Sequence, residues 1–163
     1  MIERTLVLIK PDGVERGLIG EIISRFEKRG LKIAGMKLLK VDESTAMAHY
    51  TEDISRRRGE YVRKKLISFL TNNHVVAMCL EGVDAIENVR RMTGDTEPKS
   101  ALPGTIRGDY SHISYNYADE KNKAIPNLVH ASANKEDAEK EIALWFSQKE
   151  LFNYESVHDK HVL

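Results

Sequence analysis

The sequence has little cysteine and no excess charge of either sign. Among its 163 residues Cys79 is the single cysteine, which excludes an internal disulfide framework. One cysteine within an apolar segment is typical of a buried thiol in a protein of a reducing compartment. Lysine plus arginine and aspartate plus glutamate each number 25, so no net basic field favours binding to nucleic acid or to a membrane surface. Phosphate recognition would therefore need local positive charge.

Long apolar segments and the common nucleotide-binding motifs are also missing. No apolar run reaches the ~18 residues that span a membrane, and the N-terminus lacks the apolar stretch of a secretory signal. We therefore expect a cytoplasmic protein. Neither G-x-x-x-x-G-K-S/T nor a G-x-G-x-x-G following a strand occurs, which excludes a P-loop and a Rossmann site. The histidines near the C-terminus lack companion ligands, so we expect no zinc site there.

What is present is an alternation of short apolar runs with segments of helical periodicity. The predicted strands are residues 5–9, 31–41, 75–80 and 127–130, and the main helices cover 18–30, 62–72, 84–94 and 138–146. Reduced to its main elements, this order is the βαββαβ pattern of a ferredoxin-like α+β sandwich. We expect one domain over residues 1–163, with a four-stranded antiparallel sheet covered by helices on one face, and extra helices and loops.

Some local signals refine this layout. Gly35 marks a bulge or a close backbone approach within the second strand. Asp42 is a reasonable N-cap for a short helix that reaches Tyr50, and Asp84 with Glu87 resembles a capping box. Residues 95–126 show no periodicity, which favours a functional loop over a mere connector. Within it, residues 111–124 have the composition of an exposed polar loop.

His130 is the leading candidate for chemistry. A neutral imidazole, with an unperturbed pKa of about 6.5, can attack phosphorus with its lone pair. Lys10 emerges at the end of a buried strand, and Arg107 lies between two glycines in the segment 104–109, where its guanidinium suits a bidentate grip on phosphate. Judged alone, each residue also has a non-catalytic interpretation. His130 would be a structural histidine, Lys10 a surface lysine, the segment 104–109 a flexible hinge, and Arg90 a solvated arginine on a helix.

Seven segments together resemble nucleoside diphosphate kinases over almost the whole chain. They are residues 3–14, 49–50, 75–78, 90–98, 103–110, 127–130 and 141–146. The resemblance implies a ferredoxin-like fold and a ping-pong transfer of the γ-phosphoryl group from a nucleoside triphosphate to a nucleoside diphosphate through a phosphohistidine. It implies that His130 is the nucleophile, acting through Nδ1. Glu141 and Ser132 would orient its imidazole; from sequence alone they are equally a surface acid and a helix N-cap.

The same resemblance implies the nucleotide contacts and the assembly. Lys10, Arg90 and Arg107 would hold phosphate oxygens, Tyr50 and Thr96 would place the phosphates, and Asn127 would contact the ribose hydroxyl. Mg²⁺ would be held mainly by the nucleotide phosphates and water, in keeping with its reluctance to shed its hydration shell. Members of the family are homo-oligomers, commonly hexamers or tetramers built from dimers.

Three departures from the family pattern stand out. Near residues 52–60 the chain is about four residues longer than the family pattern, and we call this segment the first insertion. The alignment then places Val62 at the position whose side chain stacks on the base in the family, with the neighbouring Tyr61 as a substitute. A second insertion of about ten residues falls within 111–124. Ala131 replaces the usual glycine after His130, and an alanine with a positive φ would cost about 1 kcal/mol.

Two alternative functions are open at this point. One is a weakened relative in which phosphorylation of His130 serves signalling, suggested by the insertions and by Val62. The other is a ferredoxin-like binding module for nucleic acid, which the neutral net charge and the lack of an exposed aromatic RNA-binding motif disfavour.

Overall fold

The architecture rests on a four-stranded antiparallel sheet. The computed structural model describes residues 1–162. Its strands are β1 (Ile2–Ile9), β2 (Lys32–Lys40), β3 (His74–Val83) and β4 (Val129–Ala131). They lie in the order β2-β3-β1-β4 and every neighbouring pair is antiparallel. This order confirms the predicted ferredoxin-like α+β sandwich.

Ten α-helices connect or flank the strands in the described part of the chain. They are α1 (Pro11–Glu15), α2 (Ile19–Lys28), α3 (Glu43–His49), α4 (Glu52–Arg58), α5 (Glu60–Asn72), α6 (Ala85–Thr93), α7 (Ile106–Tyr110), α8 (Tyr115–Glu120), α9 (Lys135–Trp145) and α10 (Asp159–Val162). Two 3₁₀ helices cover Pro98–Ser100 and Gln148–Glu150.

Helices cover both faces of the sheet, so the expectation of a single covered face is wrong. Val7 and Ile9 pack in a core with residues of α2 and α6. Leu6 and Leu8 belong to a second core, which includes residues of α3, α5 and α9. The continuous apolar run of β1 is what a strand buried on both sides looks like, because neither set of alternating side chains meets water.

Only one of the two predicted helix caps is present. Asp42 accepts a hydrogen bond from the Thr45 amide at the start of α3, as expected. Asp84 precedes α6 in a left-handed conformation with φ 45° and makes no side-chain cap. Its carboxylate instead pairs with the N-terminal ammonium at 3.0 Å. The predicted capping box is therefore wrong, because a competing charge occupies the capping oxygen.

The bulge predicted at Gly35 is confirmed. The pairing of β2 with β3 shifts register between Ile33 and Gly35. A Cβ at Gly35 would lie 2.8 Å from the Glu150 carbonyl oxygen, so the close backbone approach requires glycine here.

Residues 95–126 are more ordered than the absence of periodicity suggested. Besides the 3₁₀ helix, they contain α7 and α8, which begin after Thr105 and Ser114; each of these side chains accepts a backbone amide. The description of 111–124 as a polar loop is therefore wrong for α8. Helices of five and six residues are too short to show a helical repeat in sequence, and such helices depend on caps and tertiary contacts.

Candidate functional site

His130 lies on β4, directly opposite Leu8 of β1. Its side chain is 22% exposed, and the exposed part faces a cavity of about 550 Å³. This volume is in the range of small-molecule sites. The imidazole is thus fixed by the pairing of the edge strand β4 with β1 and still reachable from solvent.

Most of the residues singled out in the sequence line this same cavity. They are Lys10, Tyr50, Arg90, Thr96, Arg107, Asn127, His130 and Glu141. They come from six different parts of the chain, and the antiparallel sheet brings them together at one end. Ser132 and Val62 do not line the cavity.

A chain of hydrogen bonds fixes the imidazole of His130. Both carboxylate oxygens of Glu141 lie 3.0 Å from Nε2 of His130. The Ser132 hydroxyl donates to Glu141 at 2.6 Å and accepts from the Leu6 amide at 3.2 Å. A carboxylate that accepts from both partners places the proton of neutral His130 on Nε2. The lone pair therefore lies on Nδ1.

Ser132 acts behind the cavity and is not a helix cap. It is fully buried, and its hydroxyl contacts Glu141. The N-cap of α9 is Asn134, whose side chain accepts from the Asp137 amide. Of the two alternatives left open in the sequence, the structure supports contact with the imidazole system.

Lys10 is a buried cation beside the cavity. Its ammonium donates to the Asn127 side-chain oxygen at 2.8 Å, and Asn127 in turn donates to the Thr96 carbonyl at 2.8 Å. Burial lowers the pKa of Lys10 to about 8, and the charge of Arg107 acts in the same direction. One hydrogen bond to protein leaves further N–H groups of the ammonium free for an anion.

Arg107 is part of the scaffold as well as of the cavity wall. Its guanidinium donates to the carbonyls of Asn127 at 3.1 Å, Gly94 at 2.8 Å and Val129 at 2.7 Å. These bonds use three of its five N–H groups, and two remain for a ligand. Burial lowers its pKa to about 10, so it stays charged at neutral pH. The arginine lies on α7, where the sequence suggested a hinge in a loop.

The backbone before His130 has an unusual conformation at Leu128. This residue has φ 70°, which is rare outside glycine. The Leu128 amide donates to the partly buried Asp12 carboxylate at 3.0 Å, and its carbonyl accepts from the Lys10 amide at 2.8 Å. Burial raises the pKa of Asp12, against the lowering effect of Lys10. These contacts hold the entry to β4. Ala131 has no positive φ, so alanine fits there without strain.

Two further groups in the cavity lack partners that a phosphate would supply. Arg90 is exposed on α6, and within residues 1–162 it pairs with no carboxylate. The buried Tyr50 hydroxyl has no hydrogen-bond partner there. Burial raises the pKa of Tyr50, as does the negative charge of Glu141, so the phenol remains a neutral donor.

Val62 was aligned with the base-stacking position, and the structure does not place it in the cavity. It lies on α5 one helical turn before Leu66, which does line the cavity, as does Ile54 of α4. The first insertion forms α4 as a separate helix directly before α5, and base stacking by Val62 stays a prediction. Tyr61 is also outside the cavity wall; it is exposed, and its hydroxyl contacts the Asn122 side chain.

The cavity wall also includes Arg58, Tyr115 and His49, which the sequence analysis did not single out. Arg58 and Tyr115 line the cavity, and the Arg58 guanidinium lies 5.4 Å from the Tyr115 ring centre. Arg58 is the last of three consecutive arginines at the end of α4, and Tyr115 lies in the second insertion. His49 also lines the cavity, with its ring centre 4.4 Å from that of His130. Its segment carried part of the family resemblance, but nothing local to it indicated burial.

One cluster offers ligand atoms for a metal, but its hydrogen bonds oppose that use. Ligand atoms of His49, His130 and Glu141 lie within 4.8 Å of one another. The Trp145 indole N–H donates to Nδ1 of His49 at 3.2 Å. If a metal bound Nε2 of the neutral ring, Nδ1 would carry a proton that faces this N–H. The cluster is better explained as a hydrogen-bonded imidazole pair.

The lining carboxylates leave little for a hard cation to bind directly. Asp53 pairs with Arg57 at 2.6 Å, and Asp137 accepts from the Asn134 side chain at 2.9 Å. Glu141 is occupied by His130 and Ser132. A Mg²⁺ ion would find its oxygen ligands mainly on a bound nucleotide and in water.

No helix within residues 1–162 has both the length and the apolar character needed to cross a bilayer.

Comparison with known proteins gives a consistent result across most of the chain. A family model described as nucleoside diphosphate kinase matches residues 3–151. The nucleoside diphosphate kinase of Borreliella burgdorferi is 51% identical over 155 residues, which are 94% of this chain and 93% of that protein. The corresponding kinase of Pyrococcus horikoshii is 53% identical over 157 residues, covering 96% of this chain and 93% of that protein.

Solved structures agree with the sequence relatives. A transition-state mimic of the kinase from Borrelia burgdorferi, with bound vanadate and ADP, superposes with a TM-score of 0.96 at 49% identity, covering 99% of this chain and 96% of that one. The kinase of Halobacterium salinarum in complex with CDP gives a TM-score of 0.85 at 39% identity, covering 100% of this chain and 99% of that one.

Proposed function

Because the chain belongs to the nucleoside diphosphate kinase family, we propose that His130 is the residue that is phosphorylated in its reaction. The reaction is that of the family: the γ-phosphoryl group of a nucleoside triphosphate passes to the enzyme as a phosphohistidine and then to a nucleoside diphosphate. Membership of this family replaces the alternative of a nucleic-acid-binding module.

The observation that carries the assignment is the hydrogen bond between His130 Nε2 and Glu141. It puts the proton on Nε2 and leaves Nδ1 as the nucleophile. A neutral imidazole needs no general base before it attacks phosphorus. As the N–P bond forms, positive charge develops on the ring, and the nearby carboxylate stabilises it.

Charge on the phosphates is met by cations from different elements. Lys10, Arg90 and Arg107 line the cavity with His130, and the unpartnered Tyr50 hydroxyl and the Thr96 side chain add neutral donors. Phosphoryl transfer depends mainly on positioning and on compensation of charge on the oxygens. Asn127 retains one amide hydrogen and one oxygen lone pair beyond its two protein contacts, which suffices for a ribose hydroxyl.

For the base we propose a position beside the insertions. Ile54 and Leu66 supply apolar surface in the cavity wall, and Tyr115 supplies an aromatic ring there. Such a surface accepts any base, since every base has a π-face. Arg58 contacts the same ring and adds a cation at this end of the cavity.

We further propose that Mg²⁺ accompanies the nucleotide. It would bridge phosphate oxygens, neutralise charge and complete its shell with water, because the carboxylates of the cavity wall are already paired with protein donors.

We propose a homo-oligomer whose contacts include the free edge of the sheet. β2 is an outer strand, and Met36 and Leu38 on it are 52% and 61% exposed. Large apolar side chains on an open strand edge favour burial against another chain. The hexamer and the tetramer of dimers both remain compatible with this surface.

Two smaller proposals concern the chain as a whole. We assign residues 1–163 to one domain, since both described cores pack against the same sheet. We place the protein in the cytoplasm, since its one cysteine is a buried free thiol and free thiols persist in reducing compartments.

The test is to label the protein and then to discharge the label. Purified protein is incubated with Mg²⁺ and γ-labelled ATP, separated from nucleotide, and then mixed with GDP. We expect base-stable, acid-labile label that transfers to GDP, no label in His130→Ala, and normal label in His74→Ala, an exposed histidine outside the cavity. Label that forms but does not discharge would favour the weakened, signalling relative. Label in His130→Ala would refute the assignment.

A further inference from the structure

His49 is a buried histidine in contact with the proposed nucleophile, to which the reaction above gives no role. It ends α3 and is only 9% exposed. Its ring meets that of His130 edge to face, with 4.4 Å between ring centres and 82° between planes. Contact between two imidazoles at a reactive centre fixes the orientation of one by the other.

The state of His49 follows from its partner on α9. An indole N–H is a donor only, so Nδ1 of His49, which lies 3.2 Å from Nε1 of Trp145, must accept. The neutral ring then has its proton on Nε2, an atom without a partner among the described residues. Burial holds the pKa of His49 well below its usual value, and the charges of His130 and Lys10 act in the same direction.

From this geometry we propose that His49 is a positioning residue: a neutral imidazole, oriented by Trp145, that holds the ring of His130 so that Nδ1 faces the nucleotide. The inference rests on the proposed role of His130. Two residues of α9 then orient the His130 ring, one directly and one through His49. Glu141 binds Nε2 of His130 directly, and Trp145, one helical turn further on, acts through His49.

The groups around His49 favour an uncharged ring. The charges of His130 on β4 and Lys10 after β1 both disfavour a charged His49, and Tyr50 is a neutral phenol 4.8 Å away between ring centres. Glu141 on α9 is the nearby acid, and it is already paired with His130 and Ser132. A charged His49 would therefore add repulsion without gaining a counter-ion.

Two variants separate the properties of His49. His49→Asn retains an acceptor near the position of Nδ1 for Trp145, but it removes the ring. His49→Phe retains a flat ring, but it leaves the buried indole N–H without an acceptor. His74→Phe, at the exposed start of β3, is the matched control.

The readout is the single-turnover rate at which Mg²⁺-ATP phosphorylates His130, together with the Kd for ADP and the Tm. We expect the rate to fall about 10- to 100-fold in both His49 variants, as misplacement of a reacting group by ~1 Å does. The Kd for ADP stays at the wild-type value, because the phosphate contacts are intact. A lower Tm with an unchanged rate in both variants would show that His49 is merely structural, and would overturn the proposal.

A measurement on the wild type keeps the proposal testable if a variant fails to fold. In ¹⁵N-labelled protein, the His49 ring should remain neutral and protonated on Nε2 from about pH 6 to 8, where an unperturbed histidine titrates. Titration in that range, or a proton on Nδ1, would overturn the proposal. Absence of label in the wild type would refute the role of His130 instead, so the two failures are distinguishable.

Discussion

At the scale of single residues, burial brings the pKa of the Lys10 ammonium close to neutral pH. Burial lowers its pKa from 10.5 to about 8, so the ammonium is present at pH 7 and is lost as the pH rises through about 8. The affinity for ADP should fall between pH 7 and pH 9, because a hydrogen bond from a charged donor contributes about 1.5–3 kcal/mol. Calorimetric titration of ADP at both pH values measures this.

Variants make this prediction specific to Lys10. Lys10→Met should bind ADP weakly at pH 7 and show little further loss at pH 9. Lys64→Met, on the exposed side of α5, should behave as the wild type does. An equal pH dependence in Lys10→Met would assign the titration to another group.

The same pKa shift has the opposite consequence for stability. Between pH 8 and 10.5 the unfolded lysine binds more protons than the folded one, so this group raises the free energy of unfolding as the pH rises through that window. Loss of the Lys10 charge therefore weakens ADP binding, but it stabilises the folded protein because a cation is no longer buried.

At the scale of secondary-structure elements, α7 depends on one glycine. A Cβ at Gly108 would lie 2.0 Å from the Leu102 carbonyl oxygen, and the neighbouring Arg107 supports three backbone carbonyls. Gly108→Ala should lower the free energy of unfolding by about 1–3 kcal/mol or more and should reduce phosphorylation of His130.

The matched control is a glycine with free space around it. A Cβ at Gly20 in α2 meets nothing within 4 Å, and Gly20→Ala should stabilise the protein by about 0.5–1 kcal/mol. Urea denaturation of both variants measures the difference. Equal effects of the two substitutions would refute the steric argument.

Arg58 of the first insertion contacts the ring of Tyr115 in the second insertion at the cavity wall. This contact predicts that Tyr115 helps to bind the base. Tyr115→Ala should weaken binding of nucleoside diphosphates by the ~1–3 kcal/mol of a base–aromatic stack. Binding of inorganic pyrophosphate, which has no base, should not change. Tyr117→Ala is the control, because Tyr117 is on the same helix and outside the cavity wall. Weaker pyrophosphate binding in Tyr115→Ala would place this ring near the phosphates instead.

The sequence predicted elements best where a physical signal was local. The Asp42 cap and the bulge at Gly35 follow from the chemistry of one residue, and both are present. The predicted helix cap at Asp84 was wrong because the group that pairs with its carboxylate, the N-terminal ammonium, is distant in sequence. The short helices α7 and α8 were not predicted because five or six residues are too few to show a helical repeat.

The site was predictable where a motif specified it, and less so near the insertions. Family segments identified the residues around His130, and the structure brings them to one cavity. Base stacking by Val62 stays a prediction, and Leu66, one helical turn further along α5, is the residue that lines the cavity. His49 and Tyr115 were missed because burial and ring contacts are properties of the folded chain.

At the scale of the whole molecule, the sheet has helices on both faces and one apolar free edge. Replacing Leu38 by lysine on β2 should prevent association of chains through this edge, and sedimentation should then show smaller particles with a lower Tm, since assembly stabilises the folded chain. Met47→Lys, at an exposed position on α3, is the control. An unchanged assembly in Leu38→Lys would exclude this edge from the interface.

The most direct test of the central claim is to locate the phosphate on the phosphorylated enzyme. Because Glu141 binds Nε2 of His130, the phosphoryl group should form its bond with Nδ1. Nuclear magnetic resonance of ¹⁵N-histidine-labelled, phosphorylated protein distinguishes the two ring nitrogens. Phosphate on Nδ1 of His130 is the result we predict; phosphate on Nε2, or on His49 or any other residue, would contradict the account.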